Sequence, residues 1–213
     1  MPSRTEILDR ICKALDEPAV HPPYPLQKIL FTPIEPNNLL LHFERELTAV
    51  KGDFFSAHNW QEAQSQVESI AKQHSLQHIC ISPHPEVVKV CGALPATILS
   101  GEKDCGKALA NADLGITACE CLIARTGSVM LTTKTGFGRV LSVLPPIHLV
   151  VAQRNQLVSD LDDAYQLLYN RYRGLWPSMI TLITGPSRTA DIEKAIVLGA
   201  HGPKKLFVLL LNF

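Results

Sequence analysis

Short apolar runs separated by helical stretches constrain the fold of this chain more than any other feature of its sequence. The run at 206–211 is entirely apolar, and the run at 147–152 contains one polar residue. Runs of this length are typical of buried strands, and a membrane span needs roughly 18 residues. Helical patterns at 39–50, 60–74 and 160–172 lie between the apolar segments. Strands that alternate with helices predict an α/β fold with a mainly parallel open sheet flanked by helices.

Two segments in the second half of the chain predict additions to this pattern. Residues 128–133 and 140–143 alternate weakly between apolar and polar, and Gly136 and Gly138 between them suit a turn with positive φ. We therefore predict a β-hairpin insertion there. Further on, the pattern at 189–198 predicts a short helix.

The first 25 residues differ from the rest. Ser3 and Glu6 have the spacing of a capping box, in which each side chain satisfies a backbone donor of the other, so a helix follows them. The proline-rich stretch at 21–25 suits an extended connector. We predict a helical arm with its connector over 1–25 and a main domain over 26–213. The arm either packs against a partner or is a plain surface helix.

Composition argues against several classes of function. The chain has 20 basic and 20 acidic residues, so it lacks the basic excess that nucleic-acid binders use against phosphates. Its polar start and short apolar runs predict a cytoplasmic protein with no membrane span. The 6 cysteines show no Cys-x-x-Cys spacing, so we expect reduced thiols and no metal or cluster held by this chain alone. The apolar share of 46% leaves room for a subunit interface, and a homo-oligomer stays open.

A hydroxyl-bearing loop gives the clearest indication of a ligand site. Thr184, Gly185 and Ser187 lie between a predicted strand and the predicted helix. Free backbone N–H groups and a helix dipole at such a place attract a carboxylate or phosphate, and Arg188 could add a bidentate contact. Ligands of open α/β sheets bind at this kind of position, beyond the carboxyl ends of strands. The alternative is an ordinary loop in which Thr189 caps the helix.

Other segments supply weaker candidates. A turn beside an arginine exposes backbone amides and hydroxyl groups to a ligand. The glycines of the predicted hairpin either permit a ligand to approach the backbone closely or only shape the turn. Each histidine is either a ligand contact or a hydrogen-bonded structural residue. These candidates are Arg125, Thr126, Gly127, Ser128, Gly136, Gly138, Arg139, His148 and His201. We expect Arg125 and Arg188 to converge with the loops in one cationic cradle. The phosphate-binding P-loop, dinucleotide and hydrolase-elbow motifs are absent from the sequence.

Six segments of the second half, taken in order, resemble one known family. They are Asp113-Leu114-Gly115-Ile116-Thr117; Ile123-Ala124 with Thr126-Gly127-Ser128; Gly136-x-Gly138-Arg139-x-Leu141-Ser142; Pro145-Pro146-x-His148; Gly185-Pro186-Ser187-Arg188-Thr189-Ala190-Asp191-Ile192-Glu193; and Leu198-Gly199-x-His201-Gly202-Pro203. Together they are similar to the lactate-utilisation protein C (LutC/YkgG) family, or LUD domain. The resemblance runs from about residue 110 to the end of the sequence given.

The resemblance implies a fold like that of the NagB/RpiA/CoA-transferase-like superfamily and a place in a bacterial system that oxidises L-lactate to pyruvate. In that system the iron–sulfur clusters belong to partner subunits, so this chain would bind no cofactor itself and would hold a small carboxylate, a phosphate or a partner. The alternative is an independent enzyme of the isomerase, CoA-transferase or 5-formyltetrahydrofolate cyclo-ligase type, acting on a phosphorylated or CoA-linked molecule.

One departure from the family pattern concerns Arg125. The family has glutamate at this turn, and in related CoA-transferases a glutamate at a comparable turn is the nucleophile. An arginine cannot act in that way because it stays protonated. The substitution therefore favours anion binding over covalent transfer. Glu120 keeps an acidic group nearby, and we expect it to pair with Arg125.

Overall fold

The computed structural model describes residues 3–16, 31–92, 94–99, 106, 108–137, 139–173, 175–190, 196–198 and 202–213. Two compact units are distinguished, Met1–Pro33 and Ile34–Phe213. In the first, helix α1 spans Arg4–Asp16. The Ser3 N–H donates to the Glu6 carboxylate at 2.6 Å and the Glu6 N–H donates to Ser3 Oγ at 3.3 Å, which confirms the predicted capping box. The predicted connector at 21–25 lies outside the described residues.

The second unit holds the remaining elements. Its helices include α2 (Leu39–Ala49), α3 (Trp60–Gln73), α4 (Pro85–Cys91) and α5 (Leu161–Tyr172), with 3-10 turns at Pro36–Asn38 and Arg154–Gln156. Its strands are β1 (Asp53–Ala57), β2 (Ile79–Ile81), β3 (Ala96–Ile98), β4 (Leu114–Ala118), β5 (Cys121–Ile123), β6 (Ser128–Thr132), β7 (Ile147–Gln153), β8 (Leu157–Val158), β9 (Ile180–Ile183), β10 (Arg188–Ala190), β11 (Ile196–Leu198) and β12 (Lys205–Leu211).

A six-stranded parallel sheet forms the centre of this unit, in the order β1-β12-β7-β4-β2-β3. Both of its faces are covered, which explains why the two central strands are apolar without alternation. On β12, Phe207, Leu209 and Leu211 belong to the core beneath α3 and α4. Leu206, Val208 and Leu210 belong to the core beneath α2 and the second sheet. The predicted α/β architecture with a mainly parallel sheet is confirmed.

A second sheet covers part of the parallel one and is mostly antiparallel, in the order β8-β5-β6-β9. It contains a β-hairpin, but not the predicted one, because β6 pairs with β5 through the turn at 124–127 rather than with 140–143. The 140–143 segment is a turn in which the N–H groups of Val143 and Leu144 both donate to the Val140 carbonyl. Such bonds curl the chain and leave no extended backbone for a ladder.

The predicted helix at 189–198 is wrong. Its ends are strands β10 and β11, which pair antiparallel with Arg188 opposite Leu198. Two β-branched residues in β11, Ile196 and Val197, favour the extended conformation. No helix N-terminus therefore begins at Thr189. Among the described helices, none is both long and apolar enough to cross a membrane.

Candidate functional site

Two of the predicted loops come together through their hydroxyl groups. Thr126 Oγ1 lies 2.7 Å from Ser128 Oγ, and Ser128 Oγ lies 2.8 Å from Thr184 Oγ1. The cause is strand pairing, because β6 runs antiparallel to β9 with Val129 opposite Ile183. The start of β6 and the end of β9 therefore lie side by side. The predicted meeting of these two loops is a feature of the structure.

The last turn of α2 packs directly against both loops. Gly127 has φ +60°, and a Cβ placed on it would lie 2.2 Å from the Leu47 nitrogen. Gly185 has φ +82°, and its Cβ would lie 2.4 Å from the Val50 carbonyl oxygen. Arg188 Nη2 donates to that same oxygen at 2.5 Å. The glycines thus permit a close backbone approach, and the group that approaches them is α2.

The two arginines of the expected cradle each have a partner within the protein. Arg125 forms a bidentate ion pair with Asp160, with one contact of 2.9 Å, whereas Arg188 binds the end of α2. The hydrogen bond and charge of Asp160 raise the pKa of Arg125. The carboxylate beside Arg125 is thus Asp160, and the expected pair with Glu120 is wrong.

A cleft of about 330 Å³ opens beside the β9–β10 loop. Its lining residues are Ser142, Val143, 181–187, Gly202 and Pro203, so it contains three predicted site residues, Thr184, Gly185 and Ser187, and neither Arg125 nor Arg188. The Ser187 N–H donates to the Pro203 carbonyl at 2.9 Å, which ties the loop to the approach to β12. The cleft is therefore walled by hydroxyls, backbone groups and apolar side chains.

This cleft lies at the amino ends of the central strands. The Lys204 N–H donates to the Pro146 carbonyl at 2.7 Å, and these residues directly precede β12 and β7. The sequence predicts the Thr184 loop at the carboxyl end of a strand, and the loop follows the carboxyl end of β9. The strand is not part of the parallel sheet, however, because β9 belongs to the four-stranded sheet. The rule on carboxyl ends does not apply to this loop.

The other predicted residues that the structure describes lie outside the lining of this cleft. Gly136 is buried, with its N–H donating to the Thr132 carbonyl at 2.8 Å. Arg139 is exposed and donates to the Ser178 carbonyl at 3.3 Å. Thr189 lies in β10. Gly138 and His201 lie outside the described residues. The role of each as a ligand contact stays a prediction.

His148 is fully buried on β7, between the two sheets. Its Nε2 lies 2.9 Å from Thr117 Oγ1, and its Nδ1 has no hydrogen-bond partner in the described part of the chain. Burial lowers the pKa of the imidazole to about 3, because a charged ring would lose its hydration there. The residue is therefore neutral at pH 7.

This shift in pKa predicts a pH dependence of stability. A histidine whose folded pKa lies below its unfolded value stabilises the fold above the unfolded pKa, and this contribution is lost as the pH falls toward the folded pKa. For His148 the window runs from about 6.5 down to about 3. Between pH 6 and pH 4, wild type should lose about 1.4 kcal/mol per pH unit more than His148→Gln. Urea unfolding at several pH values measures this difference, and parallel curves for the two proteins would contradict it.

Glu120 lies at the centre of a hydrogen-bond network that the sequence does not predict. Its carboxylate is fully buried and accepts hydrogen bonds from Thr132 Oγ1 and Tyr172 Oη, each at 2.6 Å, and it pairs with Arg171. Burial and the hydrogen bond to Glu120 raise the pKa of Tyr172. The sequence signal was an acidic residue within the apolar segment 116–124. These contacts hold the carboxylate in one position.

The cysteines of the core are apolar packing groups. Burial raises the pKa of Cys91 and Cys121 to about 12, and it also raises the pKa of Cys119. Cys119 packs in the core beneath α2, whereas Cys121 packs in the core that contains Leu168 of α5. Their thiols are therefore protonated, and the close pair in sequence faces two different cores.

Comparison with known proteins gives relatives of two kinds. The chain is 28% identical to an uncharacterized protein of Neisseria meningitidis serogroup B over 98% of this chain and 93% of that one. It is 36% identical to lactate utilization protein C of Bacillus subtilis over 53% of this chain, and 35% identical to that of Shouchella clausii over 47%. These matches cover 47% and 44% of the relatives, so the alignment spans about half the length of the proteins with that name.

The fold also has a solved counterpart. A crystal structure of a DUF162 family protein from Deinococcus radiodurans superposes with a TM-score of 0.64 at 18% identity, over 84% of this chain and 100% of that one. At this identity the likeness concerns the fold. The model of the LUD domain matches residues 40–211, which extends the resemblance seen in the second half of the sequence across the whole parallel sheet. The chain belongs to the LUD domain family.

Proposed function

We propose that this chain is a component of L-lactate utilisation that binds a small carboxylate or a partner protein, while iron–sulfur partner proteins carry out the redox chemistry. The observation that carries the proposal is the relation to proteins named lactate utilization protein C, at 35–36% identity over about half the chain. The LUD domain match over 40–211 supports it. On this proposal, cofactors belong to the partners.

The cleft beside the β9–β10 loop is the part of the chain that we assign to ligand binding. Its volume of about 330 Å³ lies at the lower end of the range for small-molecule sites, which suits a molecule of a few carbon atoms. The hydroxyls of Ser142, Thr184 and Ser187 can each donate to a carboxylate or accept from a hydroxyl group. A short hydroxy acid or keto acid has these groups.

The geometry argues against the alternative of covalent acyl transfer. The resemblance implies a glutamate at the turn where this chain has Arg125, and an arginine cannot act as a nucleophile because it stays protonated. Arg125 is also held by Asp160. The neighbouring acid, Glu120, is occupied by hydrogen bonds from Thr132 and Tyr172 and by Arg171. Neither side chain is placed to attack a thioester. We therefore favour binding over catalysis by this chain.

Growth on L-lactate as sole carbon source tests the proposal. A strain that lacks the gene should grow poorly, and wild-type protein should restore growth. Val143 lines the cleft and is 40% exposed, so Val143→Trp should fill the cleft without disturbing the core and should restore growth poorly. Val140 is 39% exposed and does not line the cleft, so Val140→Trp is the matched control and should restore growth fully.

Two results would count against the proposal. Unimpaired growth of the deletion strain, with no iron–sulfur protein co-purifying with the tagged chain, would remove the assignment to lactate utilisation. Full rescue by Val143→Trp, at a protein level equal to wild type, would remove the assignment of the cleft. The two results are separable because the first concerns the whole chain and the second one surface.

A further inference from the structure

The carboxyl edge of the six-stranded sheet holds a second cavity. Strands β7 and β12 are neighbours and end at Gln153 and Leu211. Directly beyond them, a cavity of about 390 Å³ is lined by Gln153, Arg154, Asn155 and Phe213. Open α/β sheets bind their ligands outside the carboxyl ends of the strands, and this cavity has that position. The cleft assigned above lies at the opposite edge.

Arg154 supplies a positive charge whose partner is neutral. Its Nη1 donates to the Asn212 Oδ1 at 2.7 Å, and within the described ranges it forms no ion pair with a carboxylate. The amide fixes the direction of the guanidinium without cancelling its charge. An exposed arginine held in this way is suited to bidentate binding of a carboxylate or phosphate.

The walls of the cavity are held in place from behind. The Gln153 amide donates to the Glu86 carboxylate, whose other oxygen lies 3.8 Å from His84 Nδ1. Glu86 thus fixes the position of the Gln153 amide in the cavity wall. Asn155 adds an exposed amide to the lining.

An aromatic surface completes the cavity. Phe213 is 57% exposed as a residue, and its ring lies edge-to-face against Trp60, with centroids 5.1 Å apart. Lys89 Nζ lies 4.0 Å from the centroid of the Trp60 ring. Lys89 and Phe213 therefore contact the Trp60 ring, and the exposed part of Phe213 can pack against a flat apolar molecule.

We infer that this cavity binds an anionic small molecule with a planar apolar body, its carboxylate or phosphate on Arg154 and its planar body on Phe213. Asn155 would add a hydrogen bond to a polar substituent. The inference rests on residues separate from those of the proposed lactate function, so either can fail without the other. Its ligand is larger than lactate, since lactate has no planar apolar part.

Fluorescence of Trp60 provides the test. The full chain carrying Trp176→Phe retains Trp60 as its one tryptophan. Benzoate, phenyl phosphate and inorganic phosphate are titrated into it separately. We expect benzoate or phenyl phosphate to change the emission in a saturable way, and inorganic phosphate to bind at least about tenfold more weakly than phenyl phosphate because it lacks the ring. Which of the two aromatic probes binds more tightly tells a carboxylate site from a phosphate site.

Variants separate the two contacts. Arg154→Gln should weaken binding of the preferred probe at least about tenfold, since a hydrogen bond to a charged group is lost. Phe213→Leu should reduce the preference for phenyl phosphate over inorganic phosphate. Arg45→Gln removes an arginine that is 65% exposed on α2 and should leave binding unchanged. Absence of saturable binding by both aromatic probes would overturn the inference, as would equal affinity in wild type and Arg154→Gln.

Discussion

Replacing Glu120 with alanine should lower the free energy of unfolding by about 3–5 kcal/mol, because it removes the acceptor of two hydroxyl groups and leaves a cavity in the core. The carboxylate is fully buried and accepts from the hydroxyls of Thr132 and Tyr172 as well as pairing with Arg171. Its loss leaves the buried Thr132 hydroxyl and the half-buried Tyr172 hydroxyl without this acceptor, and a buried unsatisfied group costs about 1–3 kcal/mol. The cavity left by the side chain adds to the loss. Urea unfolding measures the change.

Matched variants show which part of this network carries the stability. Arg171 is 43% exposed, so solvent screens part of its attraction to the carboxylate. Arg171→Met still leaves the buried Glu120 charge with hydroxyl donors alone, so it should cost about 1–3 kcal/mol, less than Glu120→Ala. Glu120→Gln keeps the shape and an acceptor and should cost less than Glu120→Ala. A double variant of Glu120→Ala and Arg171→Met should destabilise by less than the sum of the two. A loss below about 1 kcal/mol for Glu120→Ala would contradict the role given to the network.

The parallel sheet was predictable because its central strands form nearly uninterrupted apolar runs in the sequence. β7 and β12 are buried on both faces, so nearly every residue in them is apolar and the run stands out in the sequence. The capping box of α1 was predictable for a similar reason, since Ser3 and Glu6 contact each other within one turn. Local contacts and uniform burial are both visible in a single sequence.

The second sheet was not predictable in the same way. β5 has three residues and β8 two, and the pairing of β5 with β8 joins segments that are far apart in the chain. β10 and β11 carry a pattern that fits a helix as well as strands, and pairing with each other decides between the two. The predicted hairpin joined β6 to residues 140–143 because both segments alternate weakly, whereas β6 pairs with β5.

In the site, too, some contacts were predictable from the sequence and others were not. The hydroxyls of Ser128 and Thr184 meet because β6 and β9 pair, and a shared loop chemistry in the sequence indicated this. The partners of the arginines were not indicated, because Asp160 is 35 residues from Arg125 and Val50 is 138 residues from Arg188. Arg154 was overlooked because a lone arginine after an apolar strand has no distinctive pattern.

Gly127→Ala should destabilise the protein by about 2–5 kcal/mol. The added Cβ would lie 2.2 Å from the Leu47 nitrogen, and backbone at that distance can yield only if α2 moves. The φ of +60° adds roughly 1–2 kcal/mol of strain for any residue with a side chain, and overpacking adds about 1–3 kcal/mol. The free energy of unfolding in urea gives the result. Gly106→Ala is the control, because a Cβ there meets nothing within 4 Å, and it should cause no loss.

Gly185→Ala tests whether both loops pack against the same turn of α2. Its Cβ would lie 2.4 Å from the Val50 carbonyl oxygen, only three residues along the chain from Leu47. If the same turn of α2 is displaced by either substitution, the double variant with Gly127→Ala should cost clearly less than the sum of the single losses, since the second clash is already relieved. Full additivity would show that the two glycines meet independent obstacles, and the role of α2 as the common support of both loops would then be wrong.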